Sequence, residues 1–467
     1  DFLVYRMLPD GTSMRWGDGR FGRRQVFDAD ALALEYRHAA AYTLSTRAGE
    51  KLLPTSWPWG PLTDRSLYDP EAVRALPLTH VADGLGLVIA RSSWNADATH
   101  FSFKAGNNYW SHSHLDQGAF SLFKGAPLAI DSGCYCGYGG DHHLNYHYQT
   151  IAHNTITVTD PADIVQMPVR QGKPPRTIAN DGGQRRVGSA WNLHAAPADL
   201  EDWQSKFGDF HTGRLVRLVE QDGLLVALTD ITAAYTNEQS GVHSFHHRSR
   251  RVEKAWRIFV YDRVSDIVII HDTVEATHAD FVKRWLLHSA FQPRIDGRKF
   301  TLERPATASV TGLPQLQGEV IFPREARLVP IGGPGFEYFV DGMNFDENGT
   351  LAANIARGPP ELDPGAWRLE IMPQLPAIED RFLVVLRPGL SELPALDIRP
   401  METPESMGAE IHLPGRMLRL AFPRDRLAVD VMLTGADGIP RTLTVDGAGE
   451  RAPALSWVDQ LRIWMTR

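Results

Sequence analysis

Residues 112–131 read His112-Ser113-His114-Leu115-Asp116-Gln117-Gly118-Ala119-Phe120-Ser121-Leu122-Phe123-Lys124-Gly125-Ala126-Pro127-Leu128-Ala129-Ile130-Asp131. Two short apolar runs, 119–123 and 127–130, flank Lys124-Gly125, the pattern of a β-hairpin. A two-residue turn there sets His114 opposite Tyr135 and Asp131 opposite Gly118. On a straight ladder His114 and Asp131 then stand about four residues, on the order of 13 Å, apart. Shared ligation of one ion needs a bend, which Gly118 or Gly133 can supply. An extended backbone also places His112, His114 and Asp116 on one face, where they could bind metal or act as acid and base. An isolated H-x-H is equally at home as plain structure.

Working outward, short β-type runs recur at 85–90, 100–104, 155–159, 215–220, 224–228, 256–261, 267–271 and 282–287. Gly and Asp turns between them predict antiparallel sheets in a sandwich. Pro-rich 390–400 and 401–408 read as a linker or long loop, and 410–413, 417–421, 428–433 and 441–445 as a small terminal β unit. Only the beginning differs: 28–47 is Ala/Leu-rich, opens acidic and ends in Arg, the signature of a helix. The fold class is mostly β, a large antiparallel sandwich preceded by a helical remnant.

Composition agrees with a folded soluble chain: hydrophobic residues make 43%, charged residues 22%, and no apolar run approaches a membrane span. A net charge of −8 excludes global attraction for nucleic acid, so a polyanionic ligand must meet a local basic pocket. The chain opens at Asp1-Phe2-Leu3 without Met, which reads as a mature or truncated product. Cys134-x-Cys136 is poor disulfide geometry and lacks a second pair for zinc, so buried thiols are expected. Serine-hydrolase, zincin, P-loop and dinucleotide-binding motifs are missing. Six histidines, His112, His114, His142, His143, His147 and His153, crowd one stretch with Asp116, Asp131, Asp141, Tyr135, Tyr138, Tyr146 and Tyr148. That density marks the expected site, against the alternative of a solvated His-rich loop. The basic run 245–251 could meet sulfates or sit on a hairpin tip; Lys283, Arg284, Trp285 and His288 read as strand positions. Trp57 and Trp59 could stack on a sugar or pack locally, and the sequon at 348–350 is of chance frequency.

Arg91-Ser92-Ser93-Trp94, Phe103-Lys104-Ala105-Gly106, His112-x-His114-x-Asp116-x-Gly118-x-Phe120, Gly125-x-Pro127 through Asp131-Ser132-Gly133-x-Tyr135, and Ala152-His153-Asn154-Thr155 together form a specific string. It resembles the β-sandwich of the heparinase II/III-like polysaccharide lyases, a group that includes alginate lyases. The resemblance is concentrated in 85–159 and diffuse to about 373. Met7-Leu8-Pro9-Asp10-Gly11 with Gly17-Asp18 looks like the end of that family's helical toroid. Residues 1–80 are then the end of a toroid, 81–375 the sandwich, and 376–467 a small C-terminal β domain.

The resemblance implies a divalent, zinc-type and mainly structural ion on His114, Asp131 and His153. It implies that His112 faces the sugar as base or carboxylate partner, and that Tyr135 lines the cleft as an acid/base candidate. Tyr146, Tyr148 and Asn108 are further candidates for substrate contact. The implied activity is β-elimination on a uronic-acid glycan of heparin, heparan sulfate or alginate kind, in a secreted or periplasmic setting. The family's toroid contributes a catalytic tyrosine and a histidine or asparagine; the 111 residues before His112 are too few for it. Tyr5, Tyr36, Tyr42 and His38 align with neither role, so either a separate or cleaved chain carries the rest of the toroid as a partner, or this product is catalytically incomplete. Two other readings remain: a catalytically silent acidic-glycan-binding sandwich, and a metal-dependent hydrolase.

Overall fold

The computed structural model describes residues 2–18, 33–47, 64–108, 112–135, 140–162, 165–167, 176–178, 182–185, 197–235, 250–346 and 365–448. The run Leu224-Leu225-Val226-Ala227-Leu228 is apolar at every position, which suits a strand covered on both faces. It lies in Leu224–Asp230, inside an eight-stranded antiparallel sheet. The order across that sheet is Arg294–Asp296, Lys299–Glu303, Gln315–Phe322, Glu379–Gly389, Ile267–Ala276, Val252–Asp262, Leu224–Asp230 and Arg214–Gln221.

Because side chains alternate along a strand, the six strands from Gln315–Phe322 to Arg214–Gln221 feed two cores, while Arg294–Asp296 and Lys299–Glu303 contribute only to the first. In Val252–Asp262, Ala255, Phe259 and Tyr261 enter one core while Ile258 and Val260 enter the other. Glu379–Gly389 divides likewise, with Phe382, Val384 and Leu386 opposed to Leu383 and Val385. The first core is closed by a five-stranded sheet, Thr79–Ala82, Leu87–Arg91, Thr99–Lys104, Phe120–Lys124 and Pro127–Ala129. A four-stranded sheet, Arg327–Gly332, Trp367–Met372, Val282–Ser289 and Ile156–Thr159, shares in closing it. The second core is closed by Asp397–Glu402, Ser406–Leu413, Arg416–Pro423, Ala428–Thr434 and Pro440–Asp446. The mostly-β sandwich expected from sequence is present, with the C-terminal sheet as a third layer.

Three sequence expectations are corrected. The boundary at 376 would cut off Glu379–Gly389, which pairs on both sides within the central sheet. Its mixed hydrophobicity serves two cores, so it cannot belong to a separate unit. The linker read into 390–408 contains the strand Asp397–Glu402, whose Pro400 lies on the sheet edge where a missing N–H is tolerated. The helix read over 28–47 is split: 33–35 are helical, the chain breaks at Arg37, whose φ is 48°, and a second helix runs over Ala39–Arg47. Residues 28–32 lie outside the described residues, as do Lys51–Pro61 with Trp57 and Trp59, Cys136, Tyr138, 245–249 and the sequon.

The N-terminal part rests on the five-stranded sheet. Val4, Tyr5, Ala40, Ala41, Tyr42 and Val73 pack against Leu87, Ile89 and Trp94. Buried Arg91 donates to the Tyr5 and Met7 carbonyls, fixing where the segment 2–18 crosses the sandwich.

Candidate active site

The five- and four-stranded sheets meet where His112–Gly118, Asp131–Gly133 and His153 converge, and buried polar side chains hold that junction. Asn154 Nδ2 donates to the Phe120 and Ile130 carbonyls at 2.7 and 2.9 Å, and its Oδ1 accepts from His288 N at 2.7 Å. One amide therefore ties three strands beside His153. Arg257, fully buried, pairs bidentately with Asp272 at 2.5 and 3.0 Å. Its Nη1 donates to the Gly118 and Asn154 carbonyls at 2.6 and 3.0 Å. These bonds satisfy carbonyls that the strands leave unpaired.

The hairpin pairs Leu122 with Ala129 and Phe123 with Pro127, with a register shift between them. The straight two-residue turn is thus corrected to a bulged one, because Pro127 cannot donate into the ladder. Both glycines named as possible bends take left-handed conformations, Gly118 at φ 77° and Gly133 at φ 82°. A Cβ on Gly118 would come within 2.7 Å of Ile231 Cδ1, and one on Gly133 within 2.8 Å of His147 Cδ2. Between these bends His114, Asp131 and His153 offer ligand atoms that all lie within 4.8 Å of one another.

All three side chains are buried. His153 Nδ1 donates to Asp131 Oδ1. His114 Nδ1, Asp131 Oδ2 and His153 Nε2 have no hydrogen-bond partner among the described residues. Buried unpartnered lone-pair donors from two imidazoles and a carboxylate suit a zinc-type ion. Burial pushes the Asp131 carboxyl up, but His153, His114 and Arg15 more than offset this and hold it below the usual range. Burial, joined by neighbouring His153, pushes His114 below the usual histidine range, against the pull of Asp18 and Asp131. Arg15, from the N-terminal segment, donates to the Asp131 and Gly133 carbonyls at 3.0 and 2.9 Å and so clamps this loop.

The cleft-facing members lie above this cluster. The His112 side chain is 58% exposed, and its backbone takes the left-handed conformation at φ 69°. Such strain in a non-glycine residue is held by its surroundings. Its Nδ1 donates to Asp18 Oδ2, while Asp18 Oδ1 accepts from His114 Nε2 at 2.9 Å. Gly17, at φ 64°, passes so close that a Cβ would sit 2.6 Å from the His112 carbonyl oxygen. Tyr135 is half-buried with its ring 6.4 Å from that of His112 and 5.7 Å from that of His143. His112 and Tyr135 are therefore neighbours at the surface.

Several expected positions differ. His112, His114 and Asp116 do not share a face, since the left-handed turn at His112 breaks the alternation, and buried Asp116 instead pairs with Lys104 at 2.6 Å. Tyr146 is not a cleft tyrosine: it is fully buried, its hydroxyl 2.9 Å from Ser132 Oγ and 3.4 Å from His288 Nδ1. Burial also raises its pKa, the wrong direction for proton transfer. Tyr148 is 5% exposed and packs its ring against His114 and His143. Asn108 is buried scaffold, donating to the His114 carbonyl at 2.8 Å and accepting from Gln117 Nε2 at 3.0 Å. Arg251, placed by sequence on a basic tip, is buried and pairs with Asp160 at 3.3 Å. Lys283, Trp285 and His288 are strand positions, as read. Cys134 is half-buried, with no disulfide among the described residues. Sequence reading missed Asp18 and Arg15 as site residues; the only signal was Gly17-Asp18, whose glycine permits the close approach.

Residues 76–327, more than half of the chain, match the family model described as Heparinase II/III-like, C-terminal. No curated protein matches the chain. Among solved structures, it is similar to the heparan sulfate lyase HepC from Pedobacter heparinus, with TM-score 0.53 and 14% identity, covering 96% of this chain and 52% of that one. It is also similar to a heparinase III structure, with TM-score 0.52 and 13% identity, covering 95% and 53%. The chain thus spans about half the length of these structures, and at such identities the likeness is one of fold.

Proposed function

The chain belongs to the heparinase II/III-like family, and we propose that it is the sandwich-bearing part of a polysaccharide lyase that cleaves a uronic-acid glycan of heparan sulfate kind by β-elimination. The observation that carries this reading is the surface pair His112 and Tyr135, set above a buried His/Asp cluster. In the reaction a base takes the C5 proton and the C–H electron pair becomes the C4–C5 double bond. The C4–O4 bond breaks, and O4 takes up a proton. Asp18 accepts from His112 Nδ1, which fixes the tautomer that would take the C5 proton at Nε2. Tyr135, beside it, supplies the proton to O4. The substrate carboxylate gains charge as C5 is deprotonated and must be neutralised. We assign that demand to a histidine or asparagine of the helical toroid that the family resemblance implies.

His114, Asp131 and His153 are the residues that would hold a zinc-type ion, which would supply a fixed positive charge and tie the loops bearing His112 and Tyr135. Their full burial favours holding over activation of water, which argues against the hydrolase reading. Acidic polymeric glycans are met outside the cytoplasm, which supports a secreted or periplasmic setting; no helix among the described residues is long and apolar enough to cross a membrane.

The test is ultraviolet absorbance during incubation with heparan sulfate, heparin, alginate, hyaluronan and polyglucuronate, with and without an added toroid chain. A rise on heparan sulfate that disappears in His112→Ala is the expected result. New reducing ends without absorbance would replace elimination by hydrolysis. Binding without cleavage, toroid present, would leave only a glycan-binding role.

A further inference from the structure

A second group of donors lies beside the first. Asp18, His114, His143 and His147 each offer a ligand atom, all within 4.8 Å of one another. His114 belongs to both groups, yet Asp18, His143 and His147 by themselves supply a carboxylate and two imidazoles, the same donor set as Asp131, His114 and His153. Local backbone explains the approach of the two new histidines. His143–His147 forms a single π-helical turn, closed by Tyr148 N donating to the His143 carbonyl at 3.0 Å. Such turns are rare and concentrate at functional sites. This one carries His143 and His147 on rings 5.8 Å apart, with His147 4.5 Å from His114.

His147 points independently to a ligand. It is completely buried, and neither of its ring nitrogens has a hydrogen-bond partner among the described residues. A buried imidazole lacking both partners forfeits the solvation of two polar atoms, a cost that a bound cation would offset. The carboxylate that could answer it comes from a distant part of the chain: Asp18 arrives on the N-terminal segment, held in place by Gly17 and Arg15.

We propose that Asp18, His143 and His147 form a second divalent-cation site of zinc type, with His114 at its edge, which clasps the N-terminal segment to the sandwich next to His112. The site is independent of which reaction the cleft performs. Its Asp18 also bonds His112, so an ion there fixes the orientation of the surface histidine as well as the loops.

The test is zinc stoichiometry on the purified chain, stripped with chelator and titrated against a chromophoric competitor, with total metal measured by mass spectrometry. The wild type is expected to bind two equivalents. Asp18→Asn and His147→Gln should each bind one, His153→Gln one, and the Asp18→Asn/His153→Gln double variant none. Asp18→Asn is nearly isosteric at a partly exposed position, so it decides the matter if His147→Gln fails to fold by circular dichroism. One equivalent in the wild type that is kept by Asp18→Asn and His147→Gln overturns the proposal, as does retention of two in either variant. No binding in the wild type overturns both cation sites but leaves the lyase reading to the absorbance assay.

Discussion

Replacing Asn154 with alanine tests whether one buried amide organises the site. The side chain is 1% exposed and makes three hydrogen bonds, to Phe120 O, Ile130 O and from His288 N. Truncation leaves the His288 N–H buried without its acceptor, about 1–3 kcal/mol, and removes one bond worth about 1 kcal/mol from each carbonyl. The expected loss is about 3–5 kcal/mol, a large share of a typical domain stability of about 5–15 kcal/mol. Because Asn154 adjoins His153 and spans the strands that deliver Asp131, zinc affinity should fall together with stability. Asn154→Asp should be worse, since its carboxylate faces two carbonyl oxygens. Urea unfolding followed by tryptophan fluorescence gives the first quantity, and competitive zinc titration the second. A loss under about 1 kcal/mol with unchanged zinc affinity would refute the idea that this amide holds the junction.

The two tyrosines separate surface chemistry from packing. Tyr135→Phe should lower kcat on heparan sulfate by on the order of 10²-fold at unchanged Tm. Tyr146→Phe should lower stability by about 1 kcal/mol and leave kcat near wild type; the reverse pattern would restore Tyr146 to the cleft. Away from the site, His271 is buried between the central and C-terminal sheets, stacked on Phe422 at 4.2 Å, with its pKa pushed by burial from 6.5 down to about 3. A group that is neutral when folded but protonates when unfolded costs stability as pH falls from about 6.5 towards about 3. The slope is about 1.4 kcal/mol per pH unit. His271→Leu should flatten the unfolding midpoint against pH in that window, and an unchanged slope would show that other groups set acid sensitivity.

The fold class was legible in the sequence because each strand is a local pattern. The all-apolar run at 224–228 and the alternating runs around it required no knowledge of partners. The donor set His114, Asp131 and His153 was legible only through a motif string; spacing put the first two on the order of 13 Å apart. Two left-handed glycines and a bulge close that gap. Tyr146 and Asn108 misled because residue type reports what a side chain can do, while burial decides whether it meets solvent.

By itself, then, the sequence determined a mostly-β chain with its chemistry gathered between His112 and His153. It also marked the glycines at which the backbone could turn. Only the tertiary structure brought Arg15 and Asp18 onto that stretch, across some 94–116 residues of separation. It alone assigned Glu379–Gly389 to the central sheet instead of a terminal domain. The physical reason is common to both. A hydrogen bond between distant residues or a face shared by two cores leaves no periodicity in the local sequence. Such contacts exist only once the intervening chain has folded around its buried surfaces.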